Sequence, residues 1–480
     1  MKYEPTIGLE IHAELKTRTK MFCNSKNDPN EKKSNVNVCP ICMGHPGTLP
    51  VINKEAVKHV LKVGVAVEGK LADFTEFDRK NYFYPDIPKG YQISQYKYPL
   101  VSGGNLAEVE ITRIHLEEDT AKSTHFDNYS LIDFNRAGVP LMELVTEPVI
   151  ESGAQAGLFA KELQLLLRTL KAGDANMEKG EMRVEANVSI RKRPDLNKKN
   201  LSLGTKVEVK NLNSFRAVER AVSYEINRQE KLLDKGEKVI QETRGWDEDK
   251  QETFSQRMKE GSADYRYFPD PDLPKLQIRE LPEFSVENLE KSMPELPWKR
   301  RERYKRDFEI KDEDIEMLVR NSYLSELFEF VVSKLKNDKK LIKIASNYIT
   351  SDIAGLVKSD VDSDDKLHKN ISAESFAKLI SMIHKNDISS RGAKNILSEM
   401  YENGGDPNKI AEEKNLFQKS DEEELKQIIE KIIMDNKKVA EDFKNGKEVS
   451  LQFLIGQGMK ATQGSANPEI LKKLFIEILK

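Results

Sequence analysis

The sequence predicts an α+β protein in which a mixed or antiparallel sheet domain is followed by an all-helical part. Residues 1 to about 292 contain short segments of alternating apolar and polar residues, separated by most of the chain's glycine and proline. After about residue 293, apolar residues recur at helical spacing in successive segments. A Gly-Gly-Asp-Pro break at 404–407 divides this helical part. Three domains are therefore predicted: residues 1–292, 293–405 and 406–480.

The helices are predicted from apolar periodicity together with capping residues. Residues 54–68 have apolar residues at helical spacing and follow Asn53, a favourable N-cap. Residues 154–172 show the same amphipathic spacing. A long helix is predicted to begin near Ser214. The last helix of the chain is predicted to follow Asn467, with proline at its first position.

Composition excludes several classes of protein. With 33% charged residues, the 480-residue chain has no apolar run near the ~20 residues that a membrane helix requires. The N-terminal sequence has no signal-peptide pattern. Only three cysteines are present, which favours a reducing, cytoplasmic location over a disulfide scaffold. Because the net charge is −3, a nucleic-acid partner would have to bind a local basic patch.

The first predicted strand places two potential metal ligands on one face. Ile7, Leu9 and Ile11 alternate with the positions that include Glu10 and His12. By the two-residue period of a strand, Glu10 and His12 project from the same side, roughly 7 Å apart. Imidazole and carboxylate are common metal ligands. The alternative is an ordinary half-exposed strand.

An acidic segment, residues 111–148, is predicted to form three short strands joined by polar turns. Its first strand ends in Glu117, Glu118 and Asp119, and Glu143 interrupts the apolar run of its last strand. A buried, ionised carboxylate is costly unless a cation, a hydrogen-bond network or a metal accompanies it. A metal site and solvated charge at a sheet edge are both compatible with this pattern.

The loop predicted over residues 77–95 combines cations with aromatic residues and contains two prolines that disfavour regular structure. Arg79, Lys80 and Lys89 lie among three tyrosines and a phenylalanine, a composition suited to binding a phosphate and a ring system. The alternative is a surface loop held in place by its own aromatic side chains.

Cys23, Cys39 and Cys42 are candidate zinc ligands. The Cys-Pro-Ile-Cys segment at 39–42 has the form of a zinc knuckle, but a structural zinc site usually has four protein ligands. Three reduced structural cysteines are the alternative.

Seven segments together resemble the GatB family, which supplies the B component of tRNA-dependent amidotransferases. The resemblance covers essentially the whole chain, and the C-terminal GQGMKATQGSANP resembles the family's tail as well. The segments are IGLEIHAEL, NVCPICMGHPGTLPVIN, FDRKNYFYPDIPKGYQISQ, HLEEDTAKSTH, NRAGVPLMELVTEP, KVEVKNLNSFRAVERA and DYRYFPDPDLP.

This resemblance implies a catalytic cradle domain, a helical domain and a C-terminal tail that binds tRNA. It implies a heterotrimer with an amidase-type A subunit and a small C subunit. The expected enzyme is a ligase that forms a carbon–nitrogen bond. It would use ATP and Mg²⁺ to phosphorylate the side-chain carboxylate of Glu-tRNA(Gln) or Asp-tRNA(Asn), and ammonia from the A subunit would then give the amide. Because the sequence contains no GxxxxGK[ST] motif, a standard P-loop would not hold the ATP.

The resemblance also assigns site residues. The expected magnesium ligands, also the catalytic set, are Glu10, His12, Glu118 and Glu143. Strand alternation cannot choose Glu118 over Glu117 or Asp119, which together with Glu147 remain secondary candidates. Charge and position, without a motif role, suggest these phosphate contacts: Arg79, Lys80, Lys89, Arg113 and Lys122. Ser25 stands where relatives with two cysteine pairs have a fourth cysteine. A non-catalytic tRNA-binding scaffold subunit and a free-standing metal-dependent hydrolase are the alternative functions.

Overall fold

The computed structural model describes residues 2–193, 203–258, 265–335, 338–359, 367, 369–418, 422–462 and 466–479. The chain divides into two compact units, Met1–Pro297 and Trp298–Lys480. The first contains the described strands and the second is helical, so the predicted α+β class is confirmed. Among the described residues, no helix combines the length and apolar character needed to cross a membrane.

The first unit is built on a ten-stranded sheet in the order β14-β13-β12-β11-β1-β10-β7-β5-β2, with β6 also paired to β7. The described pairs are antiparallel except β12 with β13. The order β15-β3-β4 forms a second sheet, and β8 pairs with β9. The strands are β1 Tyr3–Glu14, β2 Lys70–Leu71, β3 Asp78–Asn81, β4 Tyr91–Ser94, β5 Val101–Ser102, β6 Asn105–Leu106, β7 Val109–Glu118, β8 Lys122–His125, β9 Ser130–Asp133, β10 Pro140–Thr146, β11 Met182–Lys192, β12 Val207–Leu212, β13 Glu242–Asp247, β14 Glu252–Met258 and β15 Phe268–Pro269.

The α-helices among the described residues are α1 Lys54–Ala66, α2 Gly153–Thr169, α3 Phe215–Asp234, α4 Val286–Lys291, α5 Pro297–Arg303, α6 Asp312–Arg320, α7 Ser322–Lys334, α8 Lys339–Asn347, α9 Ala354–Ser359, α10 Ala373–His384, α11 Ser390–Asn403, α12 Pro407–Glu413, α13 Glu422–Asp435, α14 Lys437–Lys444, α15 Glu448–Ala461 and α16 Pro468–Leu479. The predicted starts of α1, α3 and α16 are confirmed, as are the predicted N-caps Asn53 and Asn467. Asn53 accepts hydrogen bonds from the first turn of α1, and Ser214 from that of α3. Asn467 accepts one from the backbone of Glu469, with Pro468 opening α16.

Strand β1 lies inside the sheet because β10 and β11 pair with its two edges. Its apolar row, Ile7, Leu9 and Ile11, is at most 1% exposed. Helix α3 packs on β11 and β12, and α2 packs on α3. The apolar side chains of β1 therefore pack into the core, and its polar side chains project from the opposite face of the sheet.

Two predictions of local structure were wrong. The segment 111–148 contains parts of four strands, because residues 122–133 form a hairpin of their own, β8 with β9. The segment 77–95 is not irregular throughout, since β3 pairs with β4 and the two prolines fall in the connection between them. Strand β3 also pairs with β15, which lies about 190 residues later in the chain and could not be anticipated from local pattern.

Strands β13 and β14 pair as a hairpin, and residues 259–264, which follow β14, lie outside the described residues. Residues 463–465 of the tail motif also lie outside them. The tail has a hydrophobic cluster of its own, which includes Leu425, Leu454 and Phe475. A separate domain from about residue 406 stays a prediction.

Gly153 permits the close approach of α2 to α3. A Cβ atom at this position would lie 2.2 Å from the carbonyl oxygen of Glu219 and 2.4 Å from Oγ of Ser223. At Gly157, one turn later, the nearest atom would be 3.4 Å away. We expect Gly153→Ala to lower the free energy of unfolding by about 1–3 kcal/mol, as overpacking does.

The matched control is Gly157→Ala, which faces the same helix and should be neutral or stabilising by up to about 1 kcal/mol. The chain has two tryptophans, Trp246 and Trp298. In a Trp298→Phe background, the fluorescence of Trp246 alone can follow unfolding in urea. Trp246 packs against Tyr224 of α3, so it reports on this region. Equal destabilisation by both substitutions would contradict the prediction.

Candidate metal and anion site

Three neighbouring strands bring histidines and carboxylates together on one face of the large sheet. His12 of β1 lies opposite Glu143 of β10, and Glu143 lies opposite His115 of β7. Residues directly opposite each other in an antiparallel pair project to the same face. Glu10 and Glu117 lie two residues from His12 and His115, on that same face. We call Glu10, His12, His115, Glu117 and Glu143 the histidine–carboxylate cluster.

The cluster is tightly packed around two imidazoles. Nε2 of His12 lies 3.4 Å from Oε2 of Glu143, 3.6 Å from Oε1 of Glu117 and 4.0 Å from Oε1 of Glu10. Nε2 of His115 lies 3.3 Å from the same oxygen of Glu143. The side chains of Glu117 and Glu143 are only 4% and 9% exposed. Such burial requires compensating positive charge.

The pKa values in the cluster reflect this crowding. Burial lowers the pKa of His12, but its hydrogen bond to Glu143 and the charges of Glu117, Glu143 and Glu10 outweigh it and raise the pKa to about 9. Although burial opposes it, the two histidines hold the pKa of Glu143 well below its usual range. Burial and then the charge of Glu143 raise the pKa of Glu10. The cluster therefore attracts a cation, whether a proton or a metal ion.

The donor set fits a divalent cation. Two groups of three residues have ligand atoms within 4.8 Å of one another: Glu10, His12 and Glu143, and His115, Glu117 and Glu143. Carboxylate oxygens are the ligands that Mg²⁺ prefers, and imidazole is also acceptable to Mn²⁺.

Glu118 is not part of the cluster, which corrects the sequence-based assignment. It lies opposite Pro140 and therefore projects from the other face of β7. There its side chain accepts hydrogen bonds from Lys89 and from the backbone N–H of Ile93. Glu117, which the sequence could not separate from Glu118, occupies the position beside His12. The two other secondary candidates are elsewhere: Asp119 binds Arg183, and Glu147 accepts a hydrogen bond from Thr112.

Two of the five predicted phosphate contacts lie at the cluster. The guanidinium of Arg113 is 3.4 Å from Oε1 of Glu143. The Nζ atom of Lys80 lies 4.9 Å from the ring centre of Tyr265. Although burial lowers the pKa of Lys80, the charge of Glu117 contributes most to a net rise. Lys80 is therefore a charged ammonium held against an aromatic wall beside the carboxylates.

The other three predicted contacts are not available at the cluster. Arg79 pairs with Asp270 at 2.8 Å and with Asp272 at 2.9 Å, so its charge is already matched. Lys89 pairs with Glu118 on the opposite face of β7. Lys122 is exposed on the separate β8–β9 hairpin. In each case the decisive contact depends on strand pairing that composition does not reveal.

The sequence did not indicate that the segment following residue 264 would lie near the cluster. Its β15 pairs with β3, and Tyr267 stacks on Tyr96 with ring centres 4.2 Å apart. Burial is the main cause that raises the pKa of Tyr267 to about 12, and Glu117 adds to it while Lys80 opposes it. This aromatic segment therefore lies close to the cluster. Its DYRYFPDP motif was the available signal, but the motif carries no information about its partner strand.

The three cysteines converge. The sulfur atoms of Cys23, Cys39 and Cys42 lie within 4.8 Å of one another. Contact with Cys23 is the largest cause that lowers the pKa of Cys42 to about 5, and nearby Lys20 contributes. Lys20 is fully buried, and its Nζ atom is 3.9 Å from Sγ of Cys42. Ser25 Oγ is also 3.9 Å from that sulfur.

The fold and the cluster define a sheet protein with a candidate divalent-cation centre beside the cations Lys80 and Arg113. Two parts of the chain match known protein families. Residues 5–282 match the GatB/GatE catalytic domain, and residues 326–479 match the GatB domain. The chain belongs to the GatB/GatE family.

Three curated relatives cover 99–100% of the chain, and each of these three is named as the B subunit of an aspartyl/glutamyl-tRNA(Asn/Gln) amidotransferase. The relative from Persephonella marina is 41% identical over 488 residues, which cover 100% of both chains. The relative from Thermodesulfovibrio yellowstonii is 43% identical over 489 residues, again 100% of both. A relative from Thermus thermophilus is 42% identical over 482 residues and 99% of both.

Glu117 and Glu118 should differ sharply in metal binding. We expect Glu117→Gln to weaken Mn²⁺ binding by the full chain at least about tenfold, or about 1.4 kcal/mol, because it removes a charged ligand from the cluster. Glu118→Gln faces the other side of the sheet and should change the affinity less than about threefold. Isothermal titration calorimetry measures both, with circular dichroism to verify folding. The reverse order of the two effects would contradict the assignment.

Proposed function

We propose that this chain is the subunit of a tRNA-dependent amidotransferase that activates the substrate carboxylate. It would use ATP to phosphorylate the side chain of Glu on tRNA(Gln) or of Asp on tRNA(Asn), and ammonia would then displace the phosphate. The observation that supports this most is the histidine–carboxylate cluster, flanked by Lys80 and Arg113, in a chain whose full-length relatives bear the amidotransferase name. The activity is that of a ligase that forms a carbon–nitrogen bond.

The chemistry matches the residues of the cluster. A carboxylate oxygen leaves poorly, and phosphorylation converts it into a good leaving group. Phosphoryl transfer depends on positioning and on cations that neutralise developing charge. Glu10, His12, Glu117 and Glu143 would hold Mg²⁺, which supplies that neutralisation when bound. Lys80 would orient the anionic oxygens through a charge already fixed beside Glu117.

The partners follow from the family. We propose an amidase-type A subunit as the ammonia source and a small C subunit, which complete a cytoplasmic heterotrimer. Residues 406–480 would hold the tRNA body, since Lys460, Lys472 and Lys473 are exposed on its helices. Backbone phosphates can be bound by such a local patch even though the whole chain is slightly acidic. Residues 1–292 would form the catalytic domain and 293–405 the connecting one.

The reaction can be tested in the reconstituted heterotrimer. We expect Glu-tRNA(Gln) to stimulate ATP hydrolysis, and Glu143→Gln to reduce the stimulated rate at least about 100-fold, because several kcal/mol of charge stabilisation are lost. Phosphate release is the measurement. Glu147→Gln is the control, since Glu147 lies outside the cluster and binds Thr112.

Equal rates for wild type and Glu143→Gln would contradict the site. Tight tRNA binding without any stimulated hydrolysis would favour the alternative, a non-catalytic scaffold subunit. Turnover by the chain alone, without an amidase partner, would instead favour a free-standing hydrolase.

We also propose a structural zinc ion at Cys23, Cys39 and Cys42. The three sulfurs already converge, and Ser25 or water would complete four-coordination. Three thiolates around Zn²⁺ carry a net charge of −1, and the buried ammonium of Lys20 would offset it. This charge balance supports a metal site in spite of the missing fourth cysteine.

The zinc proposal predicts metal content. Inductively coupled plasma mass spectrometry of the purified chain should give about one zinc per chain, and Cys42→Ser should reduce it at least about tenfold, because two thiolates and a hydroxyl bind zinc poorly. Ser25→Ala, which keeps all three thiolates, should retain the metal. Wild-type protein without zinc would identify the three residues as reduced structural cysteines.

A further inference from the structure

The positive charges around the histidine–carboxylate cluster differ in whether a carboxylate already matches them. Lys210 is bound to Glu185 at 2.8 Å and lies 3.9 Å from Glu208. Arg113 contacts Glu143 itself. Both charges are therefore used within the protein. A cation that shares its carboxylate with a second cation is more informative, because part of its charge remains for a ligand.

Arg183 of β11 is the cation whose match is incomplete. It lies directly opposite His12, so it projects from the cluster's face of the sheet. Its Nη2 donates to Oδ2 of Asp119 at 2.7 Å, but Nε of Arg136 lies 3.7 Å from that same oxygen. Two guanidinium groups thus share one carboxylate.

The Nε atom of Arg183 has no hydrogen-bond partner among the described residues, although it is buried. A buried donor without a partner is energetically unfavourable, because it has lost its hydrogen bonds to water. Such a group in a native structure calls for an explanation, and a bound ligand is one. The guanidinium is also oriented by the protein, because its Nη2 atom donates a hydrogen bond to the buried Asp119.

We propose that Arg183 donates its Nε–H to an anionic oxygen of a substrate bound at the cluster. Lys80 lies on β3 of the separate three-stranded sheet, whereas Arg183 lies on β11, which pairs with β1 in the large sheet. The bound anion would then contact cations from two different sheets, and such cations favour phosphoryl transfer. Asp119 is then a positioning residue that orients the guanidinium. This inference rests on the proposed function for the identity of the substrates.

The anionic oxygen could belong to the nucleotide or to the aminoacyl-tRNA, and binding measurements separate the two. The reconstituted heterotrimer is titrated with adenosine 5′-(β,γ-imido)triphosphate and, separately, with Glu-tRNA(Gln). Arg183→Gln removes the charged donor, and Arg183→Lys keeps a charge but loses the planar fork. Arg191→Gln is the matched control. Arg191 lies on the same strand, about 26 Å along it, and binds Glu4 at 3.1 Å.

We expect Arg183→Gln to weaken one of the two ligands at least about tenfold and Arg183→Lys to weaken the same ligand by a smaller factor, with Arg191→Gln unchanged. A loss confined to the nucleotide analogue assigns the contact to a phosphoryl oxygen. A loss confined to the tRNA assigns it to the aminoacyl end. In stimulated hydrolysis, the KM of the affected substrate should rise accordingly.

Unchanged affinity for both ligands in Arg183→Gln would overturn the inference. So would misfolding of both Arg183 variants by circular dichroism, which would assign the residue to the fold. Failure of the proposed function is a separate result: wild-type heterotrimer would then show no stimulated ATP hydrolysis, while the binding titrations would still test Arg183.

Discussion

The site depends on the register of three antiparallel strands. Because β1, β10 and β7 are paired in one register, His12, Glu143 and His115 form a row across the sheet. A slip of one residue in β7 would replace Glu117 by Glu118 on the cluster's face, since side chains alternate strictly between faces. The apolar row of β1, which is completely buried on the other side, fixes that register through the hydrophobic core. Core packing thus determines which carboxylate reaches the cluster.

The second requirement is charge balance, and distant parts of the chain contribute to it. Segment 265–272 supplies Asp270 and Asp272 to Arg79, and it also supplies the aromatic ring that contacts Lys80. Lysine and arginine residues that are adjacent in sequence therefore acquire different roles. Arg79 joins β3 to β15 as a structural ion pair, whereas Lys80 keeps its charge for the cluster.

The sequence predicts the parts of this arrangement that depend on local order. The fold class, the paired projection of Glu10 and His12, the cap at Asn53 and the helix start near Ser214 follow from periodicity and short-range hydrogen bonding. The choice of Glu117 over Glu118 depends on which residue of β10 lies opposite, and that is a property of tertiary pairing. For the same reason, composition alone gave five candidate phosphate contacts where the structure brings two to the cluster.

Arg183 is not among the site residues that the family resemblance implies. It indicates a ligand contact because its charge is only partly compensated within the protein. A cation within a buried ion pair has its charge compensated by its partner, so that charge is less available to a ligand. Arg183 is fixed by Asp119 through one nitrogen, yet it shares that carboxylate with Arg136 and leaves a buried N–H without an acceptor among the described residues. A donor that is held rigidly but unsatisfied is preorganised, because no internal bond must break before it binds an anion. The same physical requirement that stabilises buried charge in the fold thus identifies the position where a substrate would complete it.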